Sequence, residues 1–229
     1  MYLVVTPDGI LLVDAGLAGQ WRDLNAELAG IGRSVDDIKA IMLTHGDTDH
    51  IGCAERLRRD HGVPIYVHEA DAARARGEVK ATASWGRVKF GATVRFLWYA
   101  LRKGGMRTTY LTEVIPVHDG QVLDLPGAPH VIALPGHSPG SIAVHVPLVD
   151  AVFVGDALTT RHVLTGRSGP QPAPFTDDPQ QALDSLTRLD GIQATWVLPG
   201  HGTPWSGGTH EAVREIRSAA GTRPITDTD

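Results

Sequence analysis

Apolar residues fall along the chain in short runs that end in turn chemistry or in acids and histidines. Runs 2–6 and 10–14 flank Pro7-Asp8-Gly9, and Pro before Asp-Gly predicts a hairpin whose second strand ends in Asp14. Trp21, Leu24, Leu28 and Ile31 then recur at helical spacing, with Gly30 and Gly32 suited to the stop. The unbroken apolar run 38–43 predicts a buried strand. It leads into Thr44-His45-Gly46-Asp47-Thr48-Asp49-His50. Residues 54–61 predict a helix with Arg56, Arg58 and Arg59 outside, Gly62 ends it, and 63–68 predict a further strand. This alternation indicates an α/β architecture.

The second half is rich in strands. Runs 113–117, 121–125 and 130–134 are separated by Asp119-Gly120 and Pro126-Gly127 turns. Runs 141–146 and 151–154 pair around Pro147 and Asp150, and the second ends at Gly155-Asp156. Asp177-Asp178-Pro179 suits a helix start, with Leu183, Leu186 and Leu189 on its buried side. The last strand, 194–198, ends in Pro199-Gly200-His201-Gly202. Residues 210–220 predict a helix, and 223–229 a loose tail.

Between these halves, 74–107 reads as an insertion. It holds nine of the chain's 21 Lys and Arg (Arg74, Arg76, Lys80, Arg87, Lys89, Arg95, Arg102, Lys103 and Arg107) and only one acid, Glu78. Six of the 13 aromatics lie between Trp85 and Tyr110. Residues 94–103 predict one amphipathic helix ended by Gly104-Gly105. The segment is either a packed helical excursion with a solvated basic face or a wall for an anionic or partly apolar ligand, with docking on a membrane surface the weaker third reading.

Bulk properties narrow the classes. The 229 residues suffice for a single domain spanning 1–229, 42% apolar and 21% charged, with a sizeable core. A net charge of −5 argues against a nucleic-acid partner. Cys53 is the only cysteine, so an internal disulfide and a thiolate metal site are both excluded. No run approaches about 18 apolar residues, so stable membrane insertion is not expected. The first residues enter a strand directly, without the basic start of an export signal, which makes the cytoplasm the expected location.

Chemistry is concentrated where strands end. Four metal-binding side chains, His45, Asp47, Asp49 and His50, crowd into one turn after run 38–43. Crowded carboxylates repel, and buried charges need a counter-ion or a metal. Asp14, His137, Asp156 and His201 likewise follow apolar strands, and strand ends of layered α/β folds converge on one edge where sites form.

In these residues the chain resembles the metallo-β-lactamase superfamily of metal-dependent hydrolases over nearly its whole length. The family motif Thr-His-x-His-x-Asp-His is met by Thr44 to His50, its lone Pro-Gly-His by His137, its bridging aspartate by Asp156, its final Pro-Gly-His-Gly by His201 and its early aspartate by Asp14. The resemblance implies a four-layer αββα sandwich with metals at one edge of two sheets. It implies one metal site of His45, Asp47 and His137 and another of Asp49, His50 and His201, bridged by Asp156. Two divalent ions, zinc first, would hold a bridging hydroxide that attacks an ester, lactone, thioester or related bond of a small molecule. Asp49 would orient that hydroxide and carry its proton, and Asp14 would hold motif backbone or a ligand histidine.

Asp47 departs from the motif, which has histidine there. It exchanges a neutral ligand for an anion and shifts preference towards iron or manganese. A diiron oxidoreductase or dioxygenase, and a metal-binding protein without turnover, therefore stand as alternatives. The residues after Asp156 place Arg161 and His162, and the insertion places Trp98, as candidate substrate contacts. Cys53 beside the motif reads as a small packing residue. The basic, aromatic insertion suits an anionic or lipophilic substrate, and a homodimer is left open. Relatives usually have an extra strand before the equivalent of Tyr2.

Overall fold

A computed structural model describes residues 1–81, 88–105 and 108–221. Arg87 and Arg107, Trp85 and the tail 223–229 lie outside the described residues. Strands β1 (Tyr2–Thr6), β2 (Gly9–Val13), β3 (Ile38–Met42), β4 (Ile65–His68) and β5 (Ile115–Val117) form one sheet in that order. β1 and β2 pair antiparallel and the others parallel. The second sheet uses β6 (His130–Ala133), β7 (Ile142–Val146), β8 (Ala151–Gly155) and β11 (Trp196–Pro199) in the order β11-β8-β7-β6. A separate hairpin joins β9 (Thr159–Arg161) to β10 (Ser168–Gln171).

The apolar patterning dictates the layers. Along β2, Leu11 and Val13 face the other sheet, packing with Val144, Val146 and Phe153, while Ile10 and Leu12 face the helices. Both faces of the strand are therefore buried, which is why it reads as unbroken apolar sequence rather than alternation. The outer helices on that side are α1 (Trp21–Gly30), through Leu24 and Leu28, and α2 (Ala54–His61), through Ala54 and Leu57. Against the second sheet lie α5 (Pro179–Ser185), its 3-10 continuation Leu186–Leu189, and α6 (Thr209–Gly221) through Ala212, Val213 and Ile216. Each such Leu or Ile contributes roughly 1.5–3 kcal/mol by leaving water. The order helix, sheet, sheet, helix is the αββα sandwich the resemblance implies. Near its edge the Tyr2 hydroxyl donates to the Pro199 carbonyl at 2.7 Å, joining the first strand to the last.

Three local expectations need correction. Run 121–125 is not a strand: it makes one isolated bridge, Val122 to His130, and then folds back through Pro126-Gly127 with Ala128 in the left-handed region. Strands β9 and β10 are short and polar, and apolar periodicity does not mark them. Arg74, at the start of the basic segment, is not on a solvated face: it belongs to the short helix α3 (Ala72–Ala75) and is buried. The predicted amphipathic helix is present as α4 (Phe90–Arg102), but it has no buried residue. Its N-terminal end hangs on Leu164, whose carbonyl accepts from the Lys89 amide at 2.9 Å and the Thr93 hydroxyl at 3.2 Å. Its C-terminal end is tied by the Gly19 amide donating to the Lys103 carbonyl and by Lys103 pairing with Asp23.

Candidate metal centre

Five strand ends deliver the side chains. Asp14 follows β2, the Thr44–His50 turn follows β3, His137 follows β6, Asp156 follows β8 and His201 follows β11. His45, His50, His137 and Asp156 are buried, and Asp47, Asp49 and His201 are partly exposed towards a cleft. Close backbone approach makes this packing work. A Cβ on Gly200 would lie 2.1 Å from Asp156 Oδ1 and 2.7 Å from the His50 ring, so only glycine lets the last loop press against both ligands. Asp14 sits in the left-handed region (φ 58°), a strained conformation that turns its carboxylate back under the motif.

Hydrogen bonds fix the histidine rings. The Thr44 hydroxyl lies 2.9 Å from Asp14 Oδ2 and 3.0 Å from His45 Nδ1. A carboxylate only accepts, so the hydroxyl donates to Asp14 and accepts from His45 Nδ1–H. His50 Nδ1–H donates to Asp14 Oδ2 at 2.9 Å. The Thr176 hydroxyl donates to the Ala173 carbonyl and therefore accepts from His137 Nδ1–H at 3.2 Å. All three rings thus turn Nε2 inward. Asp14 also accepts from the Thr44 amide at 2.8 Å, so one carboxylate meets motif backbone, the Thr44 hydroxyl and the His50 ring.

The inward atoms meet in overlapping groups. His45, Asp47 and His137 form one, Asp49, His50 and His201 another, and His45, His50 and Asp156 a third, with the donor atoms of each group within 4.8 Å of one another. Asp47 Oδ2 lies 3.6 Å from His45 Nε2 and 3.4 Å from His137 Nε2. Asp49 Oδ2 lies 3.1 Å from His201 Nε2, and Asp156 Oδ2 lies 3.3 Å from the same atom. His45 Nε2, His50 Nε2 and Asp156 Oδ1 are buried without a hydrogen-bond partner. Three buried polar atoms turned towards each other without hydrogen-bond partners are costly in an apolar interior, and once a cation displaces the His50 proton all three can serve it as donors. Imidazole and carboxylate are the donors that zinc, iron and manganese accept.

Protons respond to the same crowding. Burial, with the charges of His50 and His137, pushes the His45 imidazole down to about 4. Burial alone would also lower His50, but Asp14 and Asp49 outweigh it and raise the ring to about 9. His201 is raised in the same way, against burial, by Asp156 and Asp49. Burial opposes ionisation of Asp49, yet His50 and His201 hold it down to about 2. Asp156 is likewise held well below the carboxylate range by His201 and His50 despite burial. In the ion-free protein, protons on His50 and His201 balance the carboxylates, and a metal must displace them.

Several residues that serve the site escape a reading of the sequence. Arg74 Nε and Nη2 donate to the two oxygens of Asp47 at 2.5 and 3.0 Å. A Cβ on Gly46 would come within 2.7 Å of the Ala75 nitrogen, so glycine there lets α3 press against the motif. Asp71, fully buried, accepts from the Gly46 amide at 2.7 Å, the Ser138 hydroxyl at 2.6 Å and the Gly140 amide at 2.7 Å, tying the motif to the His137 loop. Its only sequence signal is a carboxylate shortly after a strand. Thr159 donates to the His201 carbonyl at 2.7 Å and anchors the last ligand loop.

A cavity of about 590 Å³ lies over this cluster of histidines and aspartates. Asp47, Asp49, His50 and His201 line its floor, and Phe96, Leu97, Tyr99 and Leu101 of α4 form a wall with Tyr110, Val163 and Phe175. The three expected substrate contacts are not among its lining residues. Trp98 lies about 100° further round α4 than Leu97, is 57% exposed, and has the Arg102 guanidinium 4.7 Å from its ring centroid. Arg161 is exposed at the end of β9, whereas Thr159 and Thr160 are both buried. The His162 amide donates to the Arg167 carbonyl at 2.9 Å within the hairpin, and it is the next residue, Val163, that lines the cavity. Cys53 is buried at the start of α2, its thiol raised by burial to about 11, consistent with a packing role.

The family model of the Metallo-beta-lactamase superfamily matches residues 1–201. The chain belongs to that superfamily. It is 30% identical over 213 residues to the probable metallo-hydrolase YflN of Bacillus subtilis (strain 168), covering 88% of this chain and 78% of that protein. It is 31% identical over 170 residues to the uncharacterized protein Rv2581c of Mycobacterium tuberculosis (strain ATCC 25618 / H37Rv), covering 71% and 68%. Among solved structures, TTHA1623 in a di-iron-bound form is 28% identical with a TM-score of 0.60, covering 98% of this chain and 93% of that one. The superfamily protein TTHA1429 from Thermus thermophilus has a TM-score of 0.70 at 23% identity, covering 96% and 73%, a likeness of fold. The superfamily is one of metal-dependent hydrolases, and no helix among the described residues is long and apolar enough to cross a membrane.

Proposed function

We propose that this chain is a dinuclear metallohydrolase that opens an ester, lactone, thioester or related bond of a small molecule. The observation that carries this reading is the convergence of His45, His50 and His137 Nε2 with Asp47, Asp49 and Asp156, every ring pinned through Nδ1. His45, Asp47 and His137 would hold one ion, Asp49, His50 and His201 the other, with Asp156 between them. Such ions supply a Lewis acid and lower the pKa of water. Asp49 lies at the cleft floor and stays ionised at neutral pH. Its carboxylate can orient the attacking water and pass a proton to the leaving group. The α4 wall offers the cleft an apolar surface through Phe96, Leu97 and Leu101, so the substrate is lipophilic on one side of the scissile bond.

The carboxylate at Asp47 and the di-iron-bound relative favour a second reading, a diiron redox enzyme on the same ligands. Elemental analysis after expression without added metal, followed by a panel of esters, lactones, thioesters and phosphodiesters and by oxygen-uptake measurements, separates the two. Zinc with turnover on the panel supports the hydrolase. Iron with substrate-dependent oxygen uptake supports the redox enzyme. Metal without either activity overturns both readings and leaves a binding protein.

A further inference from the structure

Arg74 is the one cation that touches a motif carboxylate among the described ion pairs with Lys or Arg. Its side chain is 6% exposed. Nε and Nη2 grip Asp47 Oδ1 and Oδ2 at 2.5 and 3.0 Å, and Nη1 donates to Asp177 Oδ2 at 2.5 Å. A two-pronged fork of this kind fixes the plane of a carboxylate as well as its charge. Asp177 steadies the fork from behind, and its own amide donates to the His137 carbonyl at 3.1 Å. The guanidinium is thereby held in register with two members of the same ligand group.

The position of this fork is informative. Asp47 stands where the family motif carries a neutral histidine. An aspartate alone would add a buried negative charge there, and its carboxylate could rotate about two side-chain bonds. With the fork in place the charge is balanced. Oδ2 is also held between His45 Nε2 and His137 Nε2, at 3.6 and 3.4 Å, and an oxygen that accepts one N–H keeps a second lone pair. We propose that Asp47 and Arg74 act as one charge-balanced donor unit that replaces the motif histidine, with Arg74 the positioning residue on which the first metal depends. The inference rests on the reading of Asp47 as a ligand. It adds that the aspartate and the arginine are interchangeable with a histidine only as a pair.

The test is a double-mutant cycle read by metal content. Wild type, Arg74→Met, Arg74→Lys, Asp47→His and the double variant Asp47→His/Arg74→Met are stripped, dialysed against zinc, and assayed for bound ion by elemental analysis. Affinities are measured by chelator competition, and circular dichroism of the stripped proteins reports folding. The expected result is two ions in wild type and an affinity for one of them lowered about 10–100-fold in Arg74→Met. Arg74→Lys, which keeps charge without the fork, shows a similar loss. Asp47→His alone is impaired by the uncompensated guanidinium, and the double variant regains two ions. Two tight ions in every variant overturn the inference and leave the hydrolase reading standing. So does an Asp47→His defect that persists unchanged when Arg74 is also replaced. A wild-type chain that takes up no ion overturns the ligand reading itself. If Arg74→Met does not fold, Arg74→Lys and the double variant decide the question alone.

Discussion

Asp14, Thr44 and His50 on the floor of the cleft are each buried, and Asp14 is hydrogen-bonded to both of the others, whereas α4 above them has no buried residue and hangs by its ends from Leu164 and from Gly19 and Asp23. Below the cleft, His45, His50 and His137 have their rings oriented through Nδ1, and Asp47 is held by Arg74. The wall is held by a few surface contacts, and such segments open at lower cost than the core around them. The contrast separates two tasks. On the proposed function, reactivity would lie with the hydrogen-bonded groups of the floor and choice of substrate with the side chains of the wall.

The sharpest break of the floor is Asp49→Asn. Hydrolysis of the best panel substrate should fall about 10²–10⁴-fold in steady-state assays, and an unchanged rate would remove Asp49 from the mechanism. Next comes Asp14→Asn, chosen because asparagine tolerates the left-handed backbone at that position. Loss of the charge behind His50 should weaken metal binding about 10–100-fold in chelator competition. On the wall, Phe96→Ala should lower kcat/KM for apolar substrates about tenfold, the value of part of a buried ring, with metal content unaltered. If the ions are lost as well, floor and wall are not separable.

The smallest effect concerns protons. In the stripped protein His50 binds its proton more tightly than its ordinary 6.5, up to about 9, so the stability it lends is complete below pH 6.5 and is lost as pH rises through 9. The melting temperature of stripped protein should therefore fall by a few degrees across that window. Zinc-loaded protein should lack this feature, because the ion has replaced the proton. Phe96→Ala should leave both profiles as they are.

The floor is legible in the sequence, and much of the wall is not, for a physical reason. Metal-binding side chains must follow buried strands and sit beside glycines, so 38–43 with Thr44 to His50, and 194–198 with His201, announce themselves through composition and order. Strands β2 and β8 are buried along their whole length, and unbroken apolar runs mark them. Arg74 and Asp71 carry no such mark, since their partners Asp47, Ser138 and Gly140 are brought to them only by the tertiary fold. Sequence pattern alone therefore groups Arg74 with a basic surface segment. Trp98, Arg161 and His162 are absent from the cavity lining, which Leu97 and Val163 join instead, and a sequence carries little sign of a single residue's offset along an element.

The bond from the Tyr2 hydroxyl to the Pro199 carbonyl spans 197 residues. At roughly 5–20 residues per second on a ribosome, about 10–40 seconds separate the synthesis of its two ends. Within that interval the Thr44 to His50 turn, and then the last strand of the first sheet at Ile115–Val117, are made before β11 and the His201 loop. A nascent chain can therefore offer an ion the leading ligands well before the last arrives. Closure of the Tyr2–Pro199 seam marks the moment at which the centre is complete, and chains halted before Pro199 should hold their ions loosely enough to surrender them to a chelator.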